Sequence, residues 1–315
     1  MKWLIVFLLL AGPARSAETD TGVFRFHLSN EPVHYSPFES SSVQSYLFNL
    51  IYDTLLKWED SQLKPSLAKS CKEKKGTRFQ VTCLLREDIV FSDGKPIKAE
   101  HFINSFKQLL DPIKKNPKAY LLFAVKNAQE FFEGKTEWKN VGITGKRNQL
   151  TFELKETDYE FIYNLALSPT TPRPVGEEKY AKENAIGFAT SGPYQFEIWK
   201  PNQSIVLKPN PFYFVKNQKR PRIEILFIQE DSIALSLYET GKLDFLRRLP
   251  TVYISKYKNR DDFHKIQQLR FDYIGFADSL KNEPKMRQQM VDALDYKAWQ
   301  KIYDSKKPPG CSGIL

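Results

Sequence analysis

The side chains able to make or break bonds are few and scattered. Four histidines, His27, His34, His101 and His264, lie far apart in sequence, none in a metal-ligand spacing or beside a paired cysteine. The sequence carries no glycine-rich phosphate loop, no Gly-x-Ser-x-Gly elbow and no paired-histidine zinc helix. These residue types therefore point away from an enzyme, and no catalytic residue, metal ligand or cofactor is expected. Of three cysteines, Cys71, Cys83 and Cys311, the first two flank a lysine-rich turn at Lys74-Lys75-Gly76, where an oxidising compartment favours a link. A tight turn at Lys75-Gly76 would set Cys71 opposite a position near Gln80, three residues short of Cys83 and too far for a bridge at ~3.4 Å per residue. A longer loop or a bulge would allow the disulfide, so the pattern leaves both outcomes open.

The elements that position these residues follow from periodicity. Val23, Phe24, Phe26 and Leu28 read as a strand that leads into a polar, proline-marked loop over 29–37. Leu47, Leu50, Ile51, Thr54 and Leu55 have the spacing of one buried helical stripe. Over 78–86, Phe79, Val81, Cys83 and Leu85 alternate with Gln80, Thr82 and Leu84, which predicts a strand with one buried face. Asp93-Gly94 accepts the positive φ of a hairpin turn, and Pro96 fixes the chain after it. A helix is expected from near Ala99, with Phe102, Ile103, Phe106, Leu109 and Leu110 as its apolar stripe and Asp111-Pro112 as its stop. After a strand at Leu150, Phe152 and Leu154, the proline-rich run over 168–174 marks a domain boundary. Strands are expected over 194–199, 204–208 and 223–229. A helix follows, capped by Asp231, closed by Gly241 and buried through Ile233, Ala234, Leu237 and Tyr238. A last helix is expected over 284–302, with Met286, Met290, Val291 and Leu294 on one face.

The first residues have the order of an export signal: Lys2, an apolar run over 3–11 too short to span a bilayer, then Ala14-Arg15-Ser16. Cleavage is expected after Ser16, with Ala14 as the alternative, and a mature chain without a lipid anchor. The composition, 41% hydrophobic and 14% aromatic, is that of a globular protein and not a disordered one. The net charge of +10 is spread over scattered lysines instead of a basic run with interleaved aromatics, which argues for a solvated surface and against a nucleic-acid partner.

Short motifs follow one another in an ordered series. Leu63-Lys64-Pro65-Ser66-Leu67-Ala68 comes first, then Leu85-Arg86 with Val90-Phe91-Ser92-Asp93-Gly94-Lys95-Pro96-Ile97 and Ala99-Glu100. Ser191-Gly192-Pro193-Tyr194, Asn210-Pro211-Phe212-Tyr213 and Gly241-Lys242-Leu243-Asp244 follow, and the series closes on Met286-Arg287 with Ala293-Leu294-Asp295. In this order the sequence resembles family 5 of the extracytoplasmic solute-binding proteins, the oligopeptide, dipeptide and nickel receptors of ABC importers. It departs from the family pattern at His101 and Ala277, where the family often has Asp and Asn.

The resemblance implies a mixed α/β fold, periplasmic-binding-protein-like, type II and three-lobed. Residues 17–55 and 173–278 would form the first, discontinuous lobe, 56–172 the second, and 279–315 the start of a third that is largely missing. It implies a periplasmic or secreted receptor without a transmembrane helix that captures peptides without a covalent step and delivers them to ABC importer permease subunits, meeting the membrane only through that importer. The ligand backbone would pair with protein backbone, as in strand addition. Candidate contacts are Asn30, Glu31 and Tyr35 in the first loop, Arg247 after Gly241-Lys242-Leu243-Asp244, and Tyr273. Where the family continues past the last helix, this sequence stops at Leu315. The expectation is a receptor impaired by truncation, or alternatively a non-transport truncated paralogue or the N-terminal half of a split receptor acting by protein contact.

Overall fold

The computed structural model describes residues 22–33, 35–39, 44–74, 76, 79–174, 185–216, 218–266 and 275–295. The expected signal segment, Tyr273 and Cys311 lie outside the described residues. The chain divides into two compact units, 1–247 and 248–315.

The first unit holds two hydrophobic cores. One begins with β1, Val23–Leu28, and α1, Gln44–Ile51, whose Leu47, Phe48 and Ile51 are buried. The helix stops at Ile51, so Thr54 and Leu55 of the expected stripe lie beyond it. The hairpin of β2, Leu56–Glu59, and β3, Gln62–Pro65, follows. Its two-residue turn puts Asp60 and Ser61 at φ 51° and 59°, the left-handed pair that matches the twist of hairpin strands.

Next come β4, Ala68–Lys74, and β5, Gln80–Leu85. Lys74 pairs with Gln80 and Cys71 with Cys83, so five residues, 75–79, separate the paired ends, more than the two of a tight turn at Lys75-Gly76. That register places the two cysteines directly opposite, 4.0 Å apart at Cα, and they form a disulfide. Inward-facing Val81, Cys83 and Leu85 are buried as the alternation requires.

The turn at Asp93-Gly94 closes as expected, with Val90 bridged to Pro96 and Gly94 at φ 83°. It delivers the chain to α2, Ala99–Leu109, whose Phe102, Phe106 and Leu109 are buried. After the short α3, Ala128–Phe132, the strands β6, Ile143–Lys146, and β7, Gln149–Glu153, complete a sheet of order β4-β5-β7-β6. Val81 faces Phe152 and Cys83 faces Leu150 across it. These pairs, with the α2 stripe and Phe161 of α4, Phe161–Asn164, build the larger core.

The chain then returns to the first core. β8, Tyr194–Lys200, β9, Ser204–Pro209, and β10, Arg222–Phe227, join β1 in the order β1-β10-β9-β8, with β1 parallel to β10 and the other pairs antiparallel. Ile205 meets Ile225 and Leu207 meets Ile223, all buried against α1. α5, Asp231–Glu239, is preceded by Glu230 as its cap residue, with no side-chain capping bond, and buries Ala234 and Leu235. Asp231 is therefore already helical and Ile233 is 54% exposed, because the helix sits one position round from the expected face.

In the second unit, α6, Ile254–Tyr257, and α7, Pro284–Asp292, are short, and Met286 and Met290 are about half exposed. α7 ends at Asp292 with Ala293 as its cap, before the expected end at 302, and 296–302 lie outside the described residues. No helix among the described residues is long and apolar enough to cross a membrane.

Candidate functional site

Two places gather polar side chains: a buried junction between the two cores, and the carboxyl end of β1. The junction is centred on Asp53, just past the end of α1. Tyr213 donates its hydroxyl to Asp53 Oδ2 at 2.6 Å, while Ser66 Oγ and the Thr54 amide donate to Oδ1. The Asp53 backbone is held too: its amide donates to Ser191 Oγ at 3.0 Å, and its carbonyl accepts from Thr171 Oγ1 at 2.6 Å. Burial pushes the Asp53 carboxyl above its ordinary pKa, and the three donors act against that rise. Burial, and next the negative charge of Asp53, pushes the Tyr213 phenol upward, so that the phenol stays a donor.

Around this centre the ordered motifs interlock. Gly192 lies against the last turn of α1, where a β-carbon would come within 2.6 Å of the Ile51 carbonyl carbon and 2.7 Å of the Tyr52 nitrogen. Asn210 Nδ2 donates to the Gly192 carbonyl at 2.9 Å, and the Phe212 amide donates to Asn210 Oδ1. The Phe212 ring covers Gly94, and Ser92 exchanges two hydrogen bonds of 2.9 Å with Thr190. Arg86 Nε donates to the Ser66 carbonyl at 2.8 Å. Arg173, in the proline-rich crossing, is buried with its guanidinium 3.9 Å from the Phe38 ring and bonded to Gln108 at 2.6 Å. The first four of the ordered motifs, those over 63–68, 85–100, 191–194 and 210–213, thus knit this junction together. Sequence reading did not single out Asp53 or Arg173. A lone aspartate or arginine carries no periodic signal, and partners up to 160 residues away are invisible to local spacing.

The expected contact residues divide. Asn30 is exposed at the carboxyl end of β1 and accepts from Gln229 Nε2 at 3.4 Å. Glu31 is half-buried, its carboxylate taking the Trp199 indole N–H at 2.7 Å and the Asn202 amide at 3.1 Å, so it anchors the β8–β9 hairpin. Tyr35 has no exposed surface. It packs edge-on to Phe188 at 4.9 Å and beside Phe196 at 5.3 Å, as a core aromatic does. Arg247 sits over the Tyr46 ring at 5.5 Å, with Nε buried and without a hydrogen bond.

Backbone geometry brings Asn30, Glu31 and Arg247 to one end of the sheet. Phe26 and Phe245 form a parallel bridge, so both chains leave it in the same direction. His27, on β1 beside them, is fully buried and faces the Ile228 backbone, Arg247 and Asp231, with no well-formed hydrogen bond to either ring nitrogen. Burial lowers its pKa. Among the described residues no three His, Cys, Asp or Glu side chains gather into a metal-holding group.

Known proteins resemble this chain in sequence and in fold. Residues 62–310 match the family described as bacterial extracellular solute-binding proteins, family 5 middle. The chain is 29% identical over 238 residues to a dipeptide-binding protein of Lactococcus lactis, an alignment that covers 69% of this chain and 41% of that one. Among solved structures it is similar to a periplasmic oligopeptide-binding protein of Borrelia burgdorferi, with TM-score 0.78, 22% identity, and coverage of 89% of this chain and 58% of that one. It is similar also to Listeria monocytogenes OppA bound to peptide, with TM-score 0.68, 24% identity, and coverage of 76% and 49%. At these identities the two structures show the fold, that of the type II periplasmic peptide-binding proteins. The chain spans about two-fifths of the length of the curated relative.

Proposed function

This chain belongs to family 5 of the bacterial extracellular solute-binding proteins, and we propose that it acts in the capture of peptides for an ABC importer. The observation that carries the reading is the convergence of the 29–33 loop and Arg247 at the carboxyl end of β1, the strand whose pairing with β10 is parallel, and the carboxyl ends of parallel strands are where α/β folds take their ligands. An extended peptide there pairs with backbone, and the Arg247 guanidinium, with a donor still free at Nε, meets an acidic group of the ligand. Asn30 lies within the same reach, Glu31 shapes the loop, and Tyr273 is kept as a proposed contact. No covalent step is involved.

The lobes remain as proposed from the sequence, a first of residues 17–55 and 173–278, a second of 56–172 and a third beginning over 279–315; the two cores support the division within the unit that ends at Arg247. Residues 1–16 direct export, the mature protein works in the periplasm or as a secreted chain, and the importer's permease subunits are its membrane partners. Binding is tested by incubating the purified chain with a pool of short peptides and identifying those retained by mass spectrometry. Retention by the parent and its loss in Arg247→Ala is the expected result. A parent that retains no peptide overturns the reading. Export is tested by the mass of the secreted protein, and an intact Met1 refutes cleavage after Ser16.

A further inference from the structure

A cavity lies apart from the carboxyl end of β1. It has a volume of about 560 Å³, bounded by α1, the β2–β3 hairpin and the segments 118–121 and 166–169, and none of Asn30, Glu31, Tyr35 or Arg247 lines it. That volume falls within the range of small-molecule sites, roughly 300–1,000 Å³. One wall is aromatic. Trp58 is 52% exposed, yet its indole is stacked on Tyr163 with centroids 5.5 Å apart and planes 17° from parallel. The stack fixes the ring before a ligand arrives, so little side-chain entropy is lost on binding. Tyr120, also exposed, stands on the same cavity.

The charge of the lining is positive. Lys57 and Lys118 are its cations and Asp53 its acid, but the Asp53 carboxylate is taken up by Ser66, Thr54 and Tyr213. Among the described residues Lys118 has no ion pair. Lys57 reaches Glu59 at 3.7 Å, and Lys64 holds that same carboxylate at 2.9 Å. A flat apolar wall beside Lys118, which has no ion pair among the described residues, and Lys57, which shares its carboxylate with Lys64, selects a ligand with a ring and an anionic group.

We propose that this cavity binds a ring-bearing carboxylate, its ring against Trp58 and its carboxylate toward Lys57 and Lys118. The same chemistry is offered by a free aromatic acid and by the carboxyl-terminal aromatic residue of a peptide. Calorimetric titration of the full chain with N-acetyl-phenylalanine, with its carboxamide, and with a tetrapeptide ending in phenylalanine separates these.

The expected result is saturable binding of the acid or the tetrapeptide, about tenfold weaker binding of the carboxamide, and about tenfold loss in both Trp58→Leu and Lys118→Met, each equal to ~1.4 kcal/mol. Lys139→Met, distant on the surface, leaves binding unchanged. Binding of the acid without the tetrapeptide assigns the site to free acids, and tighter binding of the tetrapeptide assigns it to peptide ends. The proposal is overturned if neither binds, if acid and carboxamide bind alike, or if Lys118→Met binds as the parent does. Thermal melting checks each variant, and Lys118→Met decides alone if Trp58→Leu melts early.

Discussion

The hydroxyl of Tyr213 donates to Asp53 Oδ2 at 2.6 Å across 160 residues of sequence, and through that bond the segment after β9 grips the crossing that leads out of α1. Both groups are buried, so each depends on the other for satisfaction. Tyr213→Phe leaves the Asp53 carboxylate short of a donor, and the expected cost is about 1–3 kcal/mol of unfolding free energy. Urea unfolding measures it as a lower midpoint at unchanged slope. A variant as stable as the parent would show that Ser66 and the Thr54 amide suffice.

His27 makes part of the stability depend on pH below 6.5. Its pKa in the folded protein lies below the ordinary 6.5 because burial disfavours the imidazolium. The unfolded chain therefore binds more protons than the folded one between the two values. The stability that His27 contributes is present above about pH 6.5 and is lost as pH falls through the folded value. His27→Leu is expected to flatten the fall in melting temperature below pH 6.5, read by thermal scans across pH. An unchanged slope contradicts the assignment.

Two tight glycines respond differently to a methyl group. At Gly192 the added β-carbon meets main chain at 2.6 to 2.8 Å, at Ile51, Tyr52 and Leu50, and backbone cannot step aside. At Gly145 the nearest atom, also at 2.6 Å, is the δ-methyl of Ile103, the far end of a side chain that can change rotamer. Gly192→Ala is expected to destabilise by about 1–3 kcal/mol or more and Gly145→Ala by less. Comparison of the two denaturation midpoints checks the order.

The disulfide constrains the β4–β5 hairpin. Its loop is short, and by loop-closure reasoning reduction removes about 2–3 kcal/mol. Cys83 is fully buried, whereas Cys71 is partly exposed, so Cys83→Ser, which places a hydroxyl in the core, is expected to melt below Cys71→Ser. Melts of both variants under reducing conditions isolate that difference from the loss of the bond.

Periodicity in the sequence determined the local elements. The alternation of Val81, Cys83 and Leu85 and the stripe of Phe102, Phe106 and Leu109 each describe a face that one element buries, and that information is contained in a few consecutive residues. The turn at Asp93-Gly94 was equally local, since only backbone conformation was at stake. The order of the motifs, together with these elements, was enough to point to the family and its fold.

What local spacing leaves open was decided by contact between distant segments. The register that opposes Cys71 to Cys83 depends on the length of the loop and on Leu150 and Phe152 of β7, which pair with β5 on its other edge. The burial of Tyr35 depends on Phe188 and Phe196, and nothing near Tyr35 in sequence announces them. Asp53 is surrounded by Ser66, Thr171, Ser191 and Tyr213; three of these stand in the ordered motifs, yet nothing in their local spacing announces that they meet at one aspartate. A buried carboxylate and the backbone beside it need several partners at once, and only a closed tertiary structure brings them from four separate segments to within hydrogen-bonding distance of one residue.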